Sequence, residues 1–442
     1  MPRDTVQPLE YDHKAARRRR LLTALPALTA VVCTAAVSLC LVVLGHPASA
    51  AEVVRALPKA PPTSAWPAAG QAALAVAGGG EYASPGQAPV PTASTAKLMT
   101  AYVFLSRHPL EPGQAGPSFT VSAGEAARYP ARLAQSESVV PLRPGQRMTE
   151  RQALQALLAA SANNVADELA RWYGSDPVAF VAEMNHTARR LGMDATHYTD
   201  PSGLHTTSIT TAADQVRLLQ AALRLPDFAT LAGSSYTDTD GHHHPNTNPL
   251  LGRDGVFAGK TGTTRAAGRN LVFAARRDTT DGSRVIVGAV LHQPDTAALK
   301  TATRRLIADS LVTAPVVRKG ETLAWAHDGW GRSVALRAEH DLRVTGPPGS
   351  NAVLAIEPAP APAVGAPAGT TAARVAVLRL QPTDGGSTTA SRASAVPAPS
   401  VGDRQGARAG VALQSEAPLP RTPPLMWFPL RPLAWLAQAV SP

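Results

Sequence analysis

The stretch Pro91-Thr92-Ala93-Ser94-Thr95-Ala96-Lys97-Leu98-Met99-Thr100 places a serine three residues before a lysine. If a helix begins at Ser94, this spacing puts the Lys97 amine on the same helix face as the Ser94 hydroxyl, within reach of one proton transfer. A neutral lysine could then act as general base for the serine, and burial or a nearby second cation would lower its pKa. Because Ser-x-x-Lys also occurs by chance, the interpretation depends on two later segments.

The second segment, Leu157-Leu158-Ala159-Ala160-Ser161-Ala162-Asn163-Asn164, follows a predicted helix. We expect Thr149 to cap that helix, with Gln152 completing a capping box. Ser161 and Asn163 flank a single residue, and polar side chains directly after an apolar helix stripe need partners or face a cleft. On its own, this pattern is more typical of a polar helix end than of a catalytic site.

The third segment, Gly255-Val256-Phe257-Ala258-Gly259-Lys260-Thr261-Gly262-Thr263-Thr264, has the composition of a strand. Two further strand-like runs, at 270–275 and 284–291, predict an antiparallel meander. Lys260-Thr261-Gly262 is expected at a strand edge, where the glycine lets the backbone of a ligand come close. A helix predicted from Thr301 onward would close the domain.

Ser-x-x-Lys, Ser-x-Asn and Lys-Thr-Gly in this order form a motif set found in penicillin-binding proteins and class A β-lactamases. Over roughly residues 70–315 the chain resembles the low-molecular-mass penicillin-binding proteins, the serine-type D-alanyl-D-alanine carboxypeptidases. Further stretches that carry this resemblance are Phe180–Asn185, Leu191–Met193, Tyr198–Leu204, Thr211–Asp214 and Asn246–Leu251. The resemblance implies an α+β fold: a β-lactamase/transpeptidase-like domain of antiparallel sheet plus all-helical subdomain, then a small all-β domain and a disordered tail.

The resemblance also implies catalytic roles for the motif residues. Ser94 would be the acylated nucleophile, Lys97 its base, and Ser161 the proton relay to the leaving group. Asn163 would orient Lys97 and the substrate amide, and Lys260 would keep the region electropositive. A second ammonium at Lys260 would favour a neutral Lys97, and a helix N-terminus at Ser94 would stabilise an oxyanion.

The substrate-binding residues implied by the family are Thr261, Gly262 and Thr263. Thr261 would bind the terminal carboxylate of the substrate, and the backbone N–H groups of Ser94 and Thr263 would form the oxyanion hole. The family usually adds an arginine beyond the next strands, but the matching loop, residues 293–300, contains none. Two other cations could replace this arginine: Arg265, which follows the Lys-Thr-Gly segment, and Lys300, which lies in the matching loop.

The implied activity is removal of the terminal D-alanine from the D-Ala-D-Ala end of peptidoglycan stem peptides, without metal or cofactor and with β-lactam antibiotics as inhibitors. A β-lactamase or DD-endopeptidase on the same fold, or a catalytically silent wall-binding scaffold, are the alternatives. The intact motif residues argue against the scaffold. A class A β-lactamase needs a glutamate beyond Ser-x-Asn, but none occurs between Glu183 and Glu321, and Glu183 is expected to be structural.

The N-terminus predicts export of the chain. Four arginines at 17–20 precede an uncharged apolar run at 21–45, and Ala48-Ser49-Ala50 matches the small-residue pattern that signal peptidases cut. The run is also long enough to remain as a membrane anchor, so both readings of residues 1–50 stay open. Either way, we expect the enzyme at the outer face of the cytoplasmic membrane or in the cell envelope.

Composition is consistent with that location. Both cysteines, Cys33 and Cys40, lie inside the apolar run, so the exported part has no disulfide. The net charge of +10 comes from scattered lysines and arginines, which fits an anionic envelope rather than nucleic-acid binding. The adjacent histidines His242–His244 lie in a loop rich in Gly and Asp, where they cannot share one ion without strain, so no metal site is expected.

Local patterns predict further elements within the catalytic domain. Residues 115–145, with their Pro and Gly, are expected to form loops and short strands. Asp176-Pro177 is expected to begin a helix, and Asp200 is expected to serve a cap or turn.

The remaining boundaries follow from changes in composition. Residues 51–70 are read as a linker, 71–315 as the catalytic domain and 316–382 as a small β domain of short alternating strands. Residues 383–423 are expected to be a disordered linker rich in Ala, Pro and Ser. The apolar segment 424–442 carries tryptophans and is either an interfacial membrane anchor or a tail without function.

Overall fold

The computed structural model describes residues 51–59, 66–174, 176–327, 333–358, 366–382 and 409–417. The predicted signal or anchor at 1–50, part of the first linker at 60–65 and the C-terminal segment at 424–442 lie outside these residues. Within the described ranges, no helix is both long and apolar enough to cross a bilayer.

The secondary structure of the described residues consists of the following elements. The strands are β1 Ala51–Ala56, β2 Gln71–Val76, β3 Glu81–Ala83, β4 Val90–Pro91, β5 Ser118–Thr120, β6 Arg147–Thr149, β7 Ile209–Thr210, β8 Tyr236–Thr237, β9 His243–His244, β10 Val256–Thr264, β11 Gly268–Thr279, β12 Gly282–Gln293, β13 Val312–Val317, β14 Thr322–His327, β15 Ser333–Ala338, β16 Leu342–Gly346, β17 Asn351–Pro358, β18 Thr371–Gln381 and β19 Gly410–Ser415. The helices are α1 Ala96–Arg107, α2 Ala123–Ala134, α3 Glu150–Leu158, α4 Asn163–Gly174, α5 Pro177–Arg190, α6 Ala212–Ala222, α7 Phe228–Ala232 and α8 Thr296–Ala308.

A five-stranded antiparallel sheet in the order β10-β11-β12-β2-β3 forms the centre of the catalytic domain. Side chains alternate between its two faces, as the strand period requires. On β11, Val272 and Ala274 pack into the core shared with the helical subdomain. Leu271 and Phe273 point the other way, into the core that includes residues of α8. The predicted antiparallel meander is confirmed, and both of its faces are covered.

The helical subdomain is built around α1, whose side chains are buried along most of its length. The predicted capping box is confirmed: the Thr149 hydroxyl accepts from the Gln152 N–H, and the Gln152 side chain accepts from the Thr149 N–H. Helix α5 begins as expected after Asp176, whose side chain accepts from the Val178 N–H at 2.9 Å. Local capping chemistry therefore fixes where the helices that carry the site begin.

One helix was missed, and another begins earlier than predicted. Residues 115–145 were expected to hold only loops and short strands, but α2 lies within them. Its only buried side chains are Glu125 and Ala126, so it shows no apolar stripe, and Pro130 interrupts the pattern. Helix α8 begins at Thr296 rather than Thr301, because Asp295 caps it through the Ala298 N–H.

The predicted strands of the β domain are confirmed, but its boundaries extend beyond 316–382. Its main sheet has six strands in the order β1-β17-β18-β19-β15-β14, and β13 pairs with β16 separately. Strand β1 lies within the stretch expected to be linker, and it pairs with β17 over its whole length. Strand β19 lies within the expected disordered linker 383–423, yet it pairs with both β18 and β15.

The physical reason for both corrections is burial of alternate apolar side chains. Val411 and Leu413 of β19 are 1% and 0% exposed in the core of the β domain. Val53 of β1 packs against the same core. Each of these strands is only six residues long and lies in an Ala-rich part of the sequence. Only the pairing with neighbouring strands reveals that it is a strand.

The β domain contacts the catalytic domain at the turn between β11 and β12. The Thr280 N–H donates to the Thr345 carbonyl at 3.0 Å, and the Thr345 N–H donates back to the Thr280 hydroxyl at 2.7 Å. The Asp281 carboxylate accepts from the Leu380 N–H at 2.8 Å. This turn therefore joins the far end of the catalytic sheet to strands of the β domain.

We expect removal of β19 to destabilise the β domain. A chain ending after residue 408 loses Val411 and Leu413 from the core, which costs roughly 3–6 kcal/mol of unfolding free energy. A chain ending after residue 417 is the matched control, because it lacks the same tail but keeps β19. Limited proteolysis and thermal unfolding should distinguish the two chains. Equal stability would contradict the assignment of β19 to this sheet.

Candidate active site

Ser94 lies in a single 3₁₀ turn, Ala93–Thr95, that leads directly into α1. The predicted helix therefore begins at Ala96, two residues later than expected, and Ser94 remains at its N-terminal end. Ala93 has a φ of 44°, a left-handed conformation that costs a non-glycine residue about 1 kcal/mol or more. Gly203 packs so closely that a Cβ there would lie 1.9 Å from the Ala93 carbonyl oxygen. The surrounding loops thus hold Ser94 in a strained turn.

The Lys97 amine is fully buried and lies between three oxygens. Its Nζ atom is 2.8 Å from the Ser94 hydroxyl, 2.7 Å from Asn163 Oδ1 and 2.9 Å from the Ser202 carbonyl oxygen. The last two oxygens can only accept hydrogen bonds. A neutral amine donates one N–H to each of them, which leaves its lone pair for the proton of the Ser94 hydroxyl.

Burial is the largest cause that lowers the pKa of Lys97, to about 7. The carboxylates Asp200, Asp167 and Glu137 oppose this shift, and the Arg132 guanidinium adds to it. Of the two causes expected to lower this pKa, burial is therefore the larger, and the repulsion between the two amines lowers the pKa of Lys260. At neutral pH a large fraction of Lys97 is therefore in the base form.

Ser161 lies on the turn between α3 and α4, directly after the predicted helix. Ser161 is 5% exposed and has a φ of 62°, so this turn also contains a left-handed non-glycine residue. Asn163 is the first residue of α4, and its side chain contacts Lys97 through Oδ1. The Ser161 hydroxyl makes no hydrogen bond to any residue that the structure describes, so it is available to a ligand.

Lys260 lies on β10 and is 1% exposed. Burial, followed by the charge of Lys97, holds the pKa of Lys260 well below its usual value. Its Nζ atom donates to the Thr261 carbonyl at 3.0 Å. The Thr261 hydroxyl donates to the Thr247 hydroxyl at 2.7 Å, which connects Lys-Thr-Gly to the Asn246–Leu251 stretch.

Gly262 lies against the turn that carries the nucleophile. A Cβ on Gly262 would lie 2.9 Å from the Thr92 carbonyl oxygen and 3.0 Å from the backbone nitrogens of Ser94 and Thr95. A side chain at this position would therefore collide with the nucleophile turn. The close contact places Thr263, the next residue of β10, beside the Ser94 turn with which it was expected to form the oxyanion hole.

The loop 198–204 positions the base, which its sequence signature alone did not predict. The Asp200 carboxylate accepts from the Ser202 N–H at 3.1 Å and from the Ser202 hydroxyl at 2.6 Å. It also accepts from the Leu204 N–H at 2.9 Å and from the Ser208 hydroxyl at 2.7 Å. The expected turn role of Asp200 is confirmed, and the turn it holds presents the Ser202 carbonyl to Lys97.

A cation beside the Lys-Thr-Gly strand was also missed. Arg269 on β11 pairs directly with Thr263 on β10, and its guanidinium donates to the Thr263 hydroxyl at 3.3 Å. Among the described residues, no hydrogen bond joins Arg265 or Lys300 to the Lys260–Thr263 segment. The signal for Arg269 was its strand register, which cannot be read without knowing the turn between β10 and β11.

The histidine stretch forms a short hairpin. His243 and His244 make up β9, which pairs with β8, and His244 Nε2 lies 2.9 Å from an Asp238 carboxylate oxygen. Asp238 also accepts from the backbone N–H groups of Asp240 and His242 at 2.9 Å. Two of the three histidines, His242 and His244, therefore contact a single buried carboxylate.

Comparison with known proteins agrees with this geometry. A sequence model of the peptidase S11 family, D-alanyl-D-alanine carboxypeptidase, matches residues 82–291. A D-alanyl-D-alanine endopeptidase of Pseudomonas aeruginosa is 31% identical over 261 residues, covering 56% of this chain and 79% of the relative. The chain belongs to the D-alanyl-D-alanine carboxypeptidase family. It is thus a serine hydrolase, and the resemblance drawn from the three motifs is confirmed.

Other members of the carboxypeptidase family match over similar lengths. A D-alanyl-D-alanine carboxypeptidase of Mycobacterium tuberculosis is 36% identical over 211 residues, which cover 46% of this chain and 66% of the relative. A crystal structure of a D-alanyl-D-alanine carboxypeptidase from the same organism is 29% identical and covers 55% of this chain and 90% of that chain, with a TM-score of 0.47.

We expect acylation of this carboxypeptidase to depend on pH through Lys97. The base form is required, so below the pKa of about 7 the rate should fall about tenfold for each pH unit. Above that pKa the rate should level off. Rates of acylation by a β-lactam, measured from ~pH 5 to ~9, test this expectation. A rate that still rises steeply near ~pH 9 would show that Lys97 remains charged in the enzyme.

Proposed function

We propose that this carboxypeptidase releases the terminal D-alanine from D-Ala-D-Ala peptides of peptidoglycan through an acyl-enzyme on Ser94. The observation that carries the proposal is the Lys97 amine, which is buried, contacts the Ser94 hydroxyl at 2.8 Å and has both N–H groups occupied by acceptors. This is the arrangement that a general base for a serine nucleophile requires.

Acylation follows from these contacts. Lys97 takes the Ser94 proton while the serine oxygen attacks the carbonyl carbon of the penultimate D-alanine. The negative charge that develops on the carbonyl oxygen is stabilised by the N–H groups of Ser94 and Thr263 and by the N-terminal end of α1. The C–N bond then breaks, and the nitrogen of the departing D-alanine needs a proton.

Ser161 is suited to deliver that proton. Its hydroxyl has no hydrogen bond within the described part of the chain, so it can accept a proton from Lys97 and donate its own to the leaving nitrogen. Water then attacks the acyl-enzyme, Lys97 acts again as base, and Ser94 is restored. In its protonated form, Lys260 adds to the positive field that attracts the anionic end of the substrate.

We infer that Arg269 replaces the arginine that the loop 293–300 lacks. Its guanidinium is exposed and lies beside Thr263, one residue beyond the Lys-Thr-Gly motif. A planar guanidinium can bind a carboxylate through two parallel hydrogen bonds. The terminal carboxylate of the substrate would thus lie between Arg269 and the Thr261 hydroxyl.

The β-lactamase alternative is disfavoured by the position of Glu183. This side chain lies on α5, where it accepts from the Thr187 hydroxyl at 3.1 Å and from Arg190 at 3.3 Å. Its bonds within one helix support a structural role. Glu168, the other glutamate between Ser-x-Asn and Lys-Thr-Gly, accepts from the Ser122 hydroxyl at 2.7 Å and from the Arg171 guanidinium at 2.8 Å, so neither glutamate is left to activate a deacylating water. The endopeptidase alternative has support from the name of the Pseudomonas relative, and stem-peptide substrates with and without cross-links distinguish it.

We also propose that the enzyme acts at the outer face of the cytoplasmic membrane. The basic and apolar character of residues 17–45 favours export or anchoring, and the aromatic segment 424–442 favours contact with a membrane surface. Both segments would then keep the active site close to newly made peptidoglycan.

A fluorescent penicillin tests the function directly. We expect covalent labelling of Ser94, slow loss of the label, and release of D-alanine from a stem peptide. Ser94→Ala should abolish labelling and release, and Lys97→Ala should keep the fold but lose most of the acylation rate. Fractionation of the labelled cells should place the wild-type enzyme with the membrane. Rapid turnover of penicillin without D-alanine release would instead identify a β-lactamase.

Substitution of Arg269 tests the carboxylate site. We expect Arg269→Leu to raise KM for a D-Ala-D-Ala peptide by about tenfold with a smaller effect on kcat, because a charged contact is lost. Arg265→Leu is the matched control, since it removes an arginine from the neighbouring turn. Steady-state rates of D-alanine release measure both variants. An equal effect of the two substitutions would contradict a specific role for Arg269.

A further inference from the structure

A glutamate outside the motif set lies against the site. Glu137 follows α2 in the chain, and its carboxylate accepts a hydrogen bond from Asn163 Nδ2 at 2.9 Å. The Glu137 side chain is 7% exposed, so it has little contact with water. The same Asn163 amide contacts Lys97 through its Oδ1 atom. Glu137 is thus one hydrogen-bonded residue away from the proposed base.

The segment that carries Glu137 is fixed at several points. Ser136 has a φ of 58°, which turns the chain sharply at the end of α2. The Glu137 N–H donates to the Arg132 carbonyl at 3.1 Å, and the Asn163 N–H donates to the Ser138 carbonyl at 2.8 Å. The Arg132 guanidinium also pairs with the Glu137 carboxylate at 2.9 Å. Backbone and side-chain contacts therefore hold this carboxylate against Asn163.

Hydrogen-bond chemistry then decides which way the Asn163 amide points. An ionised carboxylate only accepts hydrogen bonds, so Glu137 must face the NH₂ end of the amide, and Oδ1 must face Lys97. A neutral amine has one lone pair, which must take the proton of Ser94. A reversed amide would point an N–H at Lys97 and compete with the Ser94 hydroxyl for that lone pair.

We propose that Glu137 is a positioning residue for acylation, which holds the Asn163 amide in the orientation that keeps the Lys97 lone pair free for Ser94. The inference rests on the proposed function and deepens the description of the same site. Glu137 acts through Asn163 and does not touch the reacting atoms.

The charges around Lys97 determine what a pH profile can report. Four charged groups change the pKa of Lys97: Asp200, Asp167, Glu137 and Arg132. The charge of Lys97 in turn lowers the pKa of Lys260. A carboxylate beside Lys97 favours its ammonium form, so removing one lowers the pKa of Lys97 further and moves the acid limb to lower pH. Asp167 and Glu137 both act in this way, and both contact Arg132. Of the two, Glu137 is the one that contacts Asn163.

This difference allows a matched pair of variants. Glu137→Gln and Asp167→Asn each remove one carboxylate charge, and both should move the acid limb of acylation by penicillin to lower pH. Glu137→Gln should in addition lower the rate on the plateau by about tenfold, because a glutamine can donate to Asn163 and reverse its amide. Asp167→Asn should keep the plateau rate within about twofold.

A double-mutant cycle supplies the decisive readout. In an Asn163→Ala background, Glu137→Gln should change the plateau rate less than about twofold, because no amide remains to be oriented. Thermal unfolding checks the fold of each variant. Glu137→Met, whose thioether cannot donate and is only a weak acceptor, should show the same loss on the plateau and serves if the glutamine variant is unstable.

The outcomes separate this inference from the proposed function. A loss of plateau rate from Glu137→Gln in the wild-type background, with no such loss in the Asn163→Ala background, supports the positioning role. An unchanged plateau in Glu137→Gln and Glu137→Met, or an equal loss with and without Asn163, overturns the positioning role while Ser94 labelling of the wild-type enzyme stands. Failure of penicillin to label Ser94 in the wild-type enzyme overturns both.

Discussion

The Lys97 amine lies out of contact with water between the Ser94 hydroxyl, the Asn163 amide and the Ser202 carbonyl, and the surrounding structure keeps it there. Three carboxylates nearby favour its charged form, yet its pKa is lowered because the cost of burying an ammonium is larger. The chemistry of the site therefore depends on exclusion of water. Any change that admits water to Lys97 raises its pKa and lowers the fraction of neutral amine, even when every catalytic group is still present.

Two strained turns carry the motif serines. Ala93, directly before Ser94, and Ser161 itself both have left-handed backbones that cost non-glycine residues free energy. Close packing offsets the strain at the first turn, where Gly203 and Gly262 allow neighbouring backbones to approach it. These two glycines of the signature stretches thus support the geometry of the nucleophile turn.

The sequence predicted the parts of the site that local patterns encode. The three motifs, the capping box at Thr149 and the meander are each readable within a short window, and the structure contains all of them. Contacts between distant segments could not be read in this way. Glu137 meets Asn163 because Ser136 turns the chain after α2, a helix whose apolar stripe is absent. Arg269 meets Thr263 through strand register.

The pairing of β1 with β17 makes the β domain discontinuous in sequence, with the whole catalytic domain inserted between its first strand and the remainder. Ala56 can pair only after Asn351 has been made. The strands and helices around Ser94, by contrast, contact segments within the inserted part. Because contacts between distant segments form late, the catalytic domain should fold before the β domain is complete. Until residues 351–358 have been made, β1 has no partner strand, so the emerging chain exposes the unpaired backbone groups of this segment.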